Sequence, residues 1–160
     1  MKYTLEIQKR LLQVENGNLS PHEKALLLKE AIRIADENDD PQWAVEMRLD
    51  LIYELNLLSQ AEEEIAVFSR ILDDYENNKD LISENDILWK YKWICGAAFD
   101  VPEVSQSQID AILEDFKIRT LRNGYSARAY YHLLFLHYNR MRQYDLAKEY
   151  ADKMLSEIGR

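Results

Sequence analysis

Between residues 61 and 75 the apolar side chains fall at Ala61, Ile65, Phe68, Leu72 and Tyr75, in steps of four, three, four and three. That spacing puts all five on one stripe of an α-helix facing a single neighbour. Ile109, Leu113 and Phe116 repeat the pattern, with Ile112 widening the stripe. Residues 41–58 differ, because Met47, Leu51, Leu55 and Leu58 form one apolar face while Val45, Leu49 and Ile52 form another. A helix apolar on two sides is sandwiched between neighbours, as inner helices of a stack of helix pairs are. The stretch ILWKYKWICGAAF, residues 87–99, also reads as a helix. Leu88, Tyr91, Cys95 and Ala98 make its core stripe, and the apolar residues do not alternate as a strand requires. Cys95 is then a small buried hydrophobe with an inert thiol.

Helix-start chemistry recurs about every twenty residues. A serine at the N-cap accepts a hydrogen bond from a first-turn amide, and a Glu or Gln three positions on reaches back to the cap amide. This box is predicted at Ser20–Glu23, Ser59–Glu62 and Ser105–Gln108, with a weaker form at Ser83–Asp86. Pro21 and Pro41 occupy first helical positions, where the missing N–H costs nothing. Asn123-Gly124 and Asn16-Gly17 supply stops, and Ser126 can cap the helix after it. The spacing predicts eight helices, about 3–16, 21–38, 41–58, 60–77, 84–98, 106–123, 127–141 and 144–158. The expected fold class is all-α: eight antiparallel helices in stacked hairpins, one domain over residues 1–160.

Composition agrees with this reading. Of 160 residues 47% are apolar, enough to build a core, and four Gly with three Pro are few for an all-β fold. The first seventeen residues lack the apolar core of a signal peptide, and no apolar run approaches the ~18 residues of a membrane span. A lone cysteine permits neither an internal disulfide nor a zinc framework. A cytoplasmic protein that does not bind membranes is expected.

Charge divides the chain unevenly. Residues 1–80 hold 9 Lys and Arg against 18 Asp and Glu, whereas residues 81–160 hold 11 of each. Residues 116–144 contain no carboxylate, yet carry Lys117, Arg119, Arg122, Arg128, Arg140, Arg142, His132 and His137. Overall charge of −9 repels polyanions at long range, so no nucleic-acid partner is expected. The run Glu62–Glu64 suits the first turn of a helix and reads as a solvated face. Nor is there catalytic or metal chemistry to point to. His132 and His137 are five apart and do not share a helix face, His22 sits in a capping box, and no Gly-rich phosphate loop occurs. A non-enzyme with no cofactor and no metal is expected.

From Ala129 the chain reads AYYHLLFLHYNRMRQYDLAKEYADKML. Tyr131, Leu134 and Tyr138, followed by Tyr144 and Ala147, stand at the spacing of the tetratricopeptide repeat, which this stretch resembles. Phe135 stands where that family has a small residue, Arg142 where it usually has Gly, and Ala151 where it has an aromatic. The resemblance implies a right-handed curved stack whose first helices line a concave groove holding a peptide or partner protein. It implies no catalysis.

Trp89 and Trp93 lie off the core stripe of their helix. They either fill a gap against an adjoining hairpin or line the groove as rigid aromatic anchors. Aligning the two core stripes sets Trp89 level with His132 and Trp93 level with Leu136. Arg128, His132 and Leu136 succeed one another at four-residue steps, with Asn139 and Arg140 a turn further. If the resemblance holds, these seven are groove positions, suited to an acidic peptide or a free C-terminal carboxylate. An alternative is a small acidic antagonist of the immunity type, binding a basic partner through the acidic N-terminal half. Self-association into a homo-oligomer through the ends of the stack is also open.

Overall fold

The computed structural model describes residues 2–158; Met1, Gly159 and Arg160 lie outside them. The described residues form eight helices and no strand, so the fold is all-α. The helices are α1 (Lys2–Asn16), α2 (Pro21–Glu37), α3 (Pro41–Leu57), α4 (Ala61–Asn77), α5 (Glu84–Phe99), α6 (Gln106–Arg122), α7 (Arg128–Arg140) and α8 (Tyr144–Ser156). The chain divides into two compact units, Met1–Ser83 and Glu84–Arg160.

In the first unit each helix packs on the next in sequence. Its core gathers Ile7 of α1, Ala25, Leu28, Ala31 and Ala35 of α2, and Met47, Leu51 and Leu55 of α3. Helix α3 is covered on both faces as its two apolar stripes require, since Val45 and Ile52 are also fully buried. Arg48 of the same helix is buried too. It binds Asp36 of α2 through two nitrogens, at 2.6 and 3.3 Å, and lies 3.7 Å from Asp74 of α4. One guanidinium thereby ties three helices together.

Three connections share one geometry. After α2, α3 and α7 the chain turns in three residues, the middle one left-handed: Asp39 (φ 50°), Ser59 (φ 56°) and Arg142 (φ 57°). In each, the amide of the third residue returns to the carbonyl five positions back: Asp40 to Ala35 (2.9 Å), Gln60 to Leu55 (3.0 Å), Gln143 to Tyr138 (2.9 Å). This is a Schellman stop whose last residue is already the N-cap of the next helix. It leaves no length for anything but a tight reversal. Gly124 (φ 80°) makes the same stop after α6, with Tyr125 returning to Thr120.

The predicted capping boxes at Ser20 and Ser105 both form, with every predicted hydrogen bond in place. The one at Ser59 does not. Ser59 ends α3 in the left-handed conformation, and Gln60 stands at the N-cap of α4 without a side-chain cap bond. A second departure lies close by. Glu64, read as part of a solvated face, is 1% exposed and accepts a hydrogen bond from Asn56 at 3.3 Å. Ser126 also falls short of a true cap: Ala127 is the N-cap of α7, and Ser126 takes only a 3.4 Å contact from the Arg128 amide.

In the second unit α5 packs on α6 and α7, α6 on α7, and α7 on α8. The stripe Leu88, Tyr91, Cys95 and Ala98 is buried as expected, and Ile87, Ile94 and Ala97 widen it. Tyr91 meets Phe116 of α6 edge-on, with ring centroids 5.5 Å apart. Burial pushes the Cys95 thiol up to about 12, and the charge of Asp115 adds to the effect. The thiol is inert at neutral pH. On α7 and α8 the rings of Tyr131, Tyr150 and Tyr138 stack in sequence, at centroid distances of 6.3 and 5.6 Å.

Among the described residues no helix is long and apolar enough to cross a membrane.

Candidate functional site

The sequence-derived site residues all belong to the second unit, on α5 and α7. What holds α5 in register with α6 is a polar cluster at the start of α5. Glu84 accepts hydrogen bonds from Arg119 (2.9 Å), Arg122 and Asn123 (2.6 Å), all from the last turn of α6 or its cap. Burial alone would push the Glu84 carboxyl up. Hydrogen bonds from Arg122 and Asn123 and the two guanidinium charges outweigh that and hold it below its ordinary value. Arg119 also donates to Asp115 at 2.8 Å, and the same oxygen accepts the Tyr91 hydroxyl at 2.8 Å. Just beyond, the Tyr125 hydroxyl donates to Asn85. The end of α6 is thereby clamped against the first turn of α5.

That clamp shapes a cleft of about 190 Å³. Buried Leu88 and Phe116 and exposed Trp89, Tyr125, Lys92 and Arg128 are among the residues that line it. A second cleft of about 370 Å³ continues from it, lined by His132, Leu133, Leu136 and Met154. Lys92, Arg128 and Ala129 line both. The two clefts are two ends of one strip, joined at a pair of cations. No carboxylate lines either cleft.

Of the seven sequence-derived residues, this strip brings together Trp89, Arg128, His132 and Leu136. Trp89 is 66% exposed, and the Lys92 ammonium lies 5.1 Å from its ring. Trp93 is 38% exposed and lies outside both clefts, with the Lys90 ammonium 4.9 Å from its ring. Asn139 and Arg140 are exposed and line neither cleft, and Arg140 forms an ion pair with Asp100. Alignment of the core stripes places Trp93 beside Leu136; the residue of α5 that reaches α7's strip is Lys92. Phe116, Tyr125 and Met154 are likewise absent from that alignment. A signal for Lys92 existed, since it stands between two indoles on the outward face of α5, three residues past Trp89. Tyr125 and Met154 come from other elements, and helical spacing on α5 and α7 carries no word of them.

The carboxylate-free segment 116–144 resolves into different environments. Arg119 is paired with Glu84 and Asp115, Arg122 with Glu84, and Arg140 with Asp100. His137 is 4% exposed, packed against Phe99 at 4.6 Å. Lys117 lies over the Tyr130 ring at 5.2 Å. Arg128, by contrast, has no carboxylate partner among the described residues, and neither has Lys92. Elsewhere among the described residues no group of three or more His, Cys, Asp or Glu side chains is placed to hold a metal ion. Comparison with protein-family models, with curated proteins and with solved structures gives no match to this chain.

Proposed function

We propose that this chain is a non-enzymatic protein-interaction module of tetratricopeptide-like construction, holding an acidic segment or a free C-terminal carboxylate of a partner in the strip on α5 and α7. The observation that carries this reading is the unpaired Lys92–Arg128 edge, flanked by apolar walls and free of carboxylates. Arg119, Arg122 and Arg140 of the same unit are matched to acids of the same chain, so two cations left facing solvent over apolar ground favour an outside anion. The three-residue left-handed turn, with Arg142 where the tetratricopeptide pattern usually has Gly, supports the proposed construction.

The test is charge reversal at the edge. Synthetic peptides of matched length, acidic, neutral and basic, are titrated against the wild-type chain and the Lys92→Glu/Arg128→Glu double variant. The expected result is selective binding of acidic peptides by the wild type, weakened at least tenfold in the variant and steepened by low salt. Equal binding of acidic and basic peptides by the wild type defeats the reading.

A second reading, an acidic antagonist of a basic protein, is favoured by one feature of the first unit. A cleft of about 290 Å³ at the α2–α3 turn is lined by Asp36, Asp39, Asp40 and Asp74, with Arg70 as its cation. Capture of cationic proteins that fades steeply with salt and is lost on Asp39→Asn/Asp40→Asn substitution is its expected behaviour.

A further inference from the structure

The two ends of the strip differ in kind. The smaller cleft has two exposed aromatic walls, Trp89 and Tyr125, over buried Phe116, with Asn85, Thr120 and Ser126 also lining it, and the clamp at Glu84 fixes the segment that bears Phe116 and Tyr125. Flat, rigid walls of this type favour an aromatic ring, which can meet them edge-on or offset-stacked. The larger cleft has mainly aliphatic and thioether walls, Leu133, Leu136 and Met154 with His132 beside them, which adapt to a branched or flexible side chain. Between them stand the cations that both clefts share. An anion bound at Lys92 and Arg128 therefore has an aromatic seat on one side and an aliphatic seat on the other.

We infer that the partner segment is recognised in three parts: an acidic residue at Lys92–Arg128, an aromatic side chain in the cleft beneath Trp89 and Tyr125, and an aliphatic side chain against Leu133, Leu136 and Met154. This deepens the proposed function and rests on it. A chain passing through the whole strip carries its carboxylate internally, so a free C-terminus is not needed. Charge at Lys92 and Arg128 selects acidic segments as a class at short range, while the unlike apolar seats set which acidic segment is held and in which direction. The chain's surplus of 9 negative charges opposes every acidic segment at long range, so the two apolar contacts must add to the local charge contact.

Four labelled peptides with blocked ends and equal negative charge test this by fluorescence anisotropy on the full chain. One carries both apolar flanks, one the aromatic alone, one the aliphatic alone, and one serine on both sides; each is made in both chain directions. The doubly flanked peptide is expected to bind about tenfold more tightly than either singly flanked one. One direction is expected to win. Trp89→Ala/Tyr125→Ala should erase the gain from the aromatic flank and leave the gain from the aliphatic one; Leu136→Ala should do the reverse. All three residues are at least 39% exposed, so the helices survive these changes, and circular dichroism checks that they do. Four acidic peptides bound alike, each better than a basic control, overturn the three-part recognition and leave the charge reading standing. Acidic peptides bound no better than the basic control overturn both.

Discussion

Both units bury an arginine against carboxylates, but the second also leaves one without such a partner at the rim of a cleft. In the first, Arg48 is drawn into the interior and held by Asp36 and Asp74 from the helices on either side. In the second, Arg119 is treated likewise by Glu84 and Asp115, but Arg128, nine residues on in sequence, is left at the rim of an apolar strip with Lys92 for company. The residue type is the same in all three places. What differs is whether a carboxylate from a neighbouring helix arrives opposite. A buried guanidinium without its acid is too costly to keep, whereas an exposed one over apolar ground costs the fold little and is available to something else. The contrast separates cations paired within the fold from cations left at the surface, which the proposed function gives to a partner.

Truncation should break that contrast if it is wrong. Arg119→Met leaves Glu84 buried beside Arg122 and Asn123 without its most deeply covered partner, and should cost about 3 kcal/mol in urea denaturation. Arg48→Met should fall in the same range, tempered by the partial exposure of Asp36. Arg128→Met should stay within about 0.5 kcal/mol of wild type, as surface changes do. A loss at Arg128 equal to that at Arg119 would make it a structural arginine and remove it from the site.

Among the described residues the first unit also buries two side-chain polar atoms without a hydrogen-bond partner, Arg10 Nε and Glu54 Oε2, and the second buries one, His137 Nε2. The histidine lies against Phe99 and Tyr138, and burial lowers its pKa below 6.5 while the charge of Asp110 pulls the other way. With the folded value below the unfolded one, the unfolded chain takes up the proton first. The fold keeps the full benefit of neutral His137 above pH 6.5 and loses it as pH falls from 6.5 toward the lowered folded value. Stability should thus decline as pH falls below 6.5. His137→Phe removes the orphaned nitrogen from an aromatic site and should flatten that slope, read as denaturation midpoints across the range. An unchanged slope would assign the acid sensitivity to other groups.

How much of the molecule is legible in its sequence depends on range. Helix identity and most helix edges rest on contacts within four residues, and the Ser20 and Ser105 boxes form as their spacing demands. Ser59 fails because a three-residue reversal claims it for the end of α3 before it can begin α4. The site is half legible for a related reason. Spacing on one helix places Trp89, Trp93, Arg128, His132 and Leu136 outside the core, and all are indeed at the surface. It cannot place Asp100 beside Arg140, forty residues away, nor bring Tyr125 and Met154 to the strip. Contacts between helices decide which outward residues meet, and no local pattern encodes them.

The smallest expected effect concerns the turns, where the two units again differ. The first unit fills its left-handed positions with Asp39 and Ser59, the second with Gly124 and Arg142. Asp adopts this conformation with some ease and Gly freely, but Arg has no local hydrogen bond to ease the crowding of its Cβ. Arg142→Gly should therefore raise stability by about 0.5–1 kcal/mol, the relief of strain being partly offset by the greater freedom of Gly in the unfolded chain. Gly124→Ala should lower stability by a similar amount, since nothing stands within 4 Å of an added Cβ and the backbone angle alone resists it. Arg142 is exposed and bonds to Asn139 only through its backbone, so its side chain has little to lose. If Arg142→Gly instead destabilises the chain, the guanidinium makes a contribution at the α7–α8 turn that outweighs the strain. It would then join Arg48 and Arg119 among the arginines that build the fold.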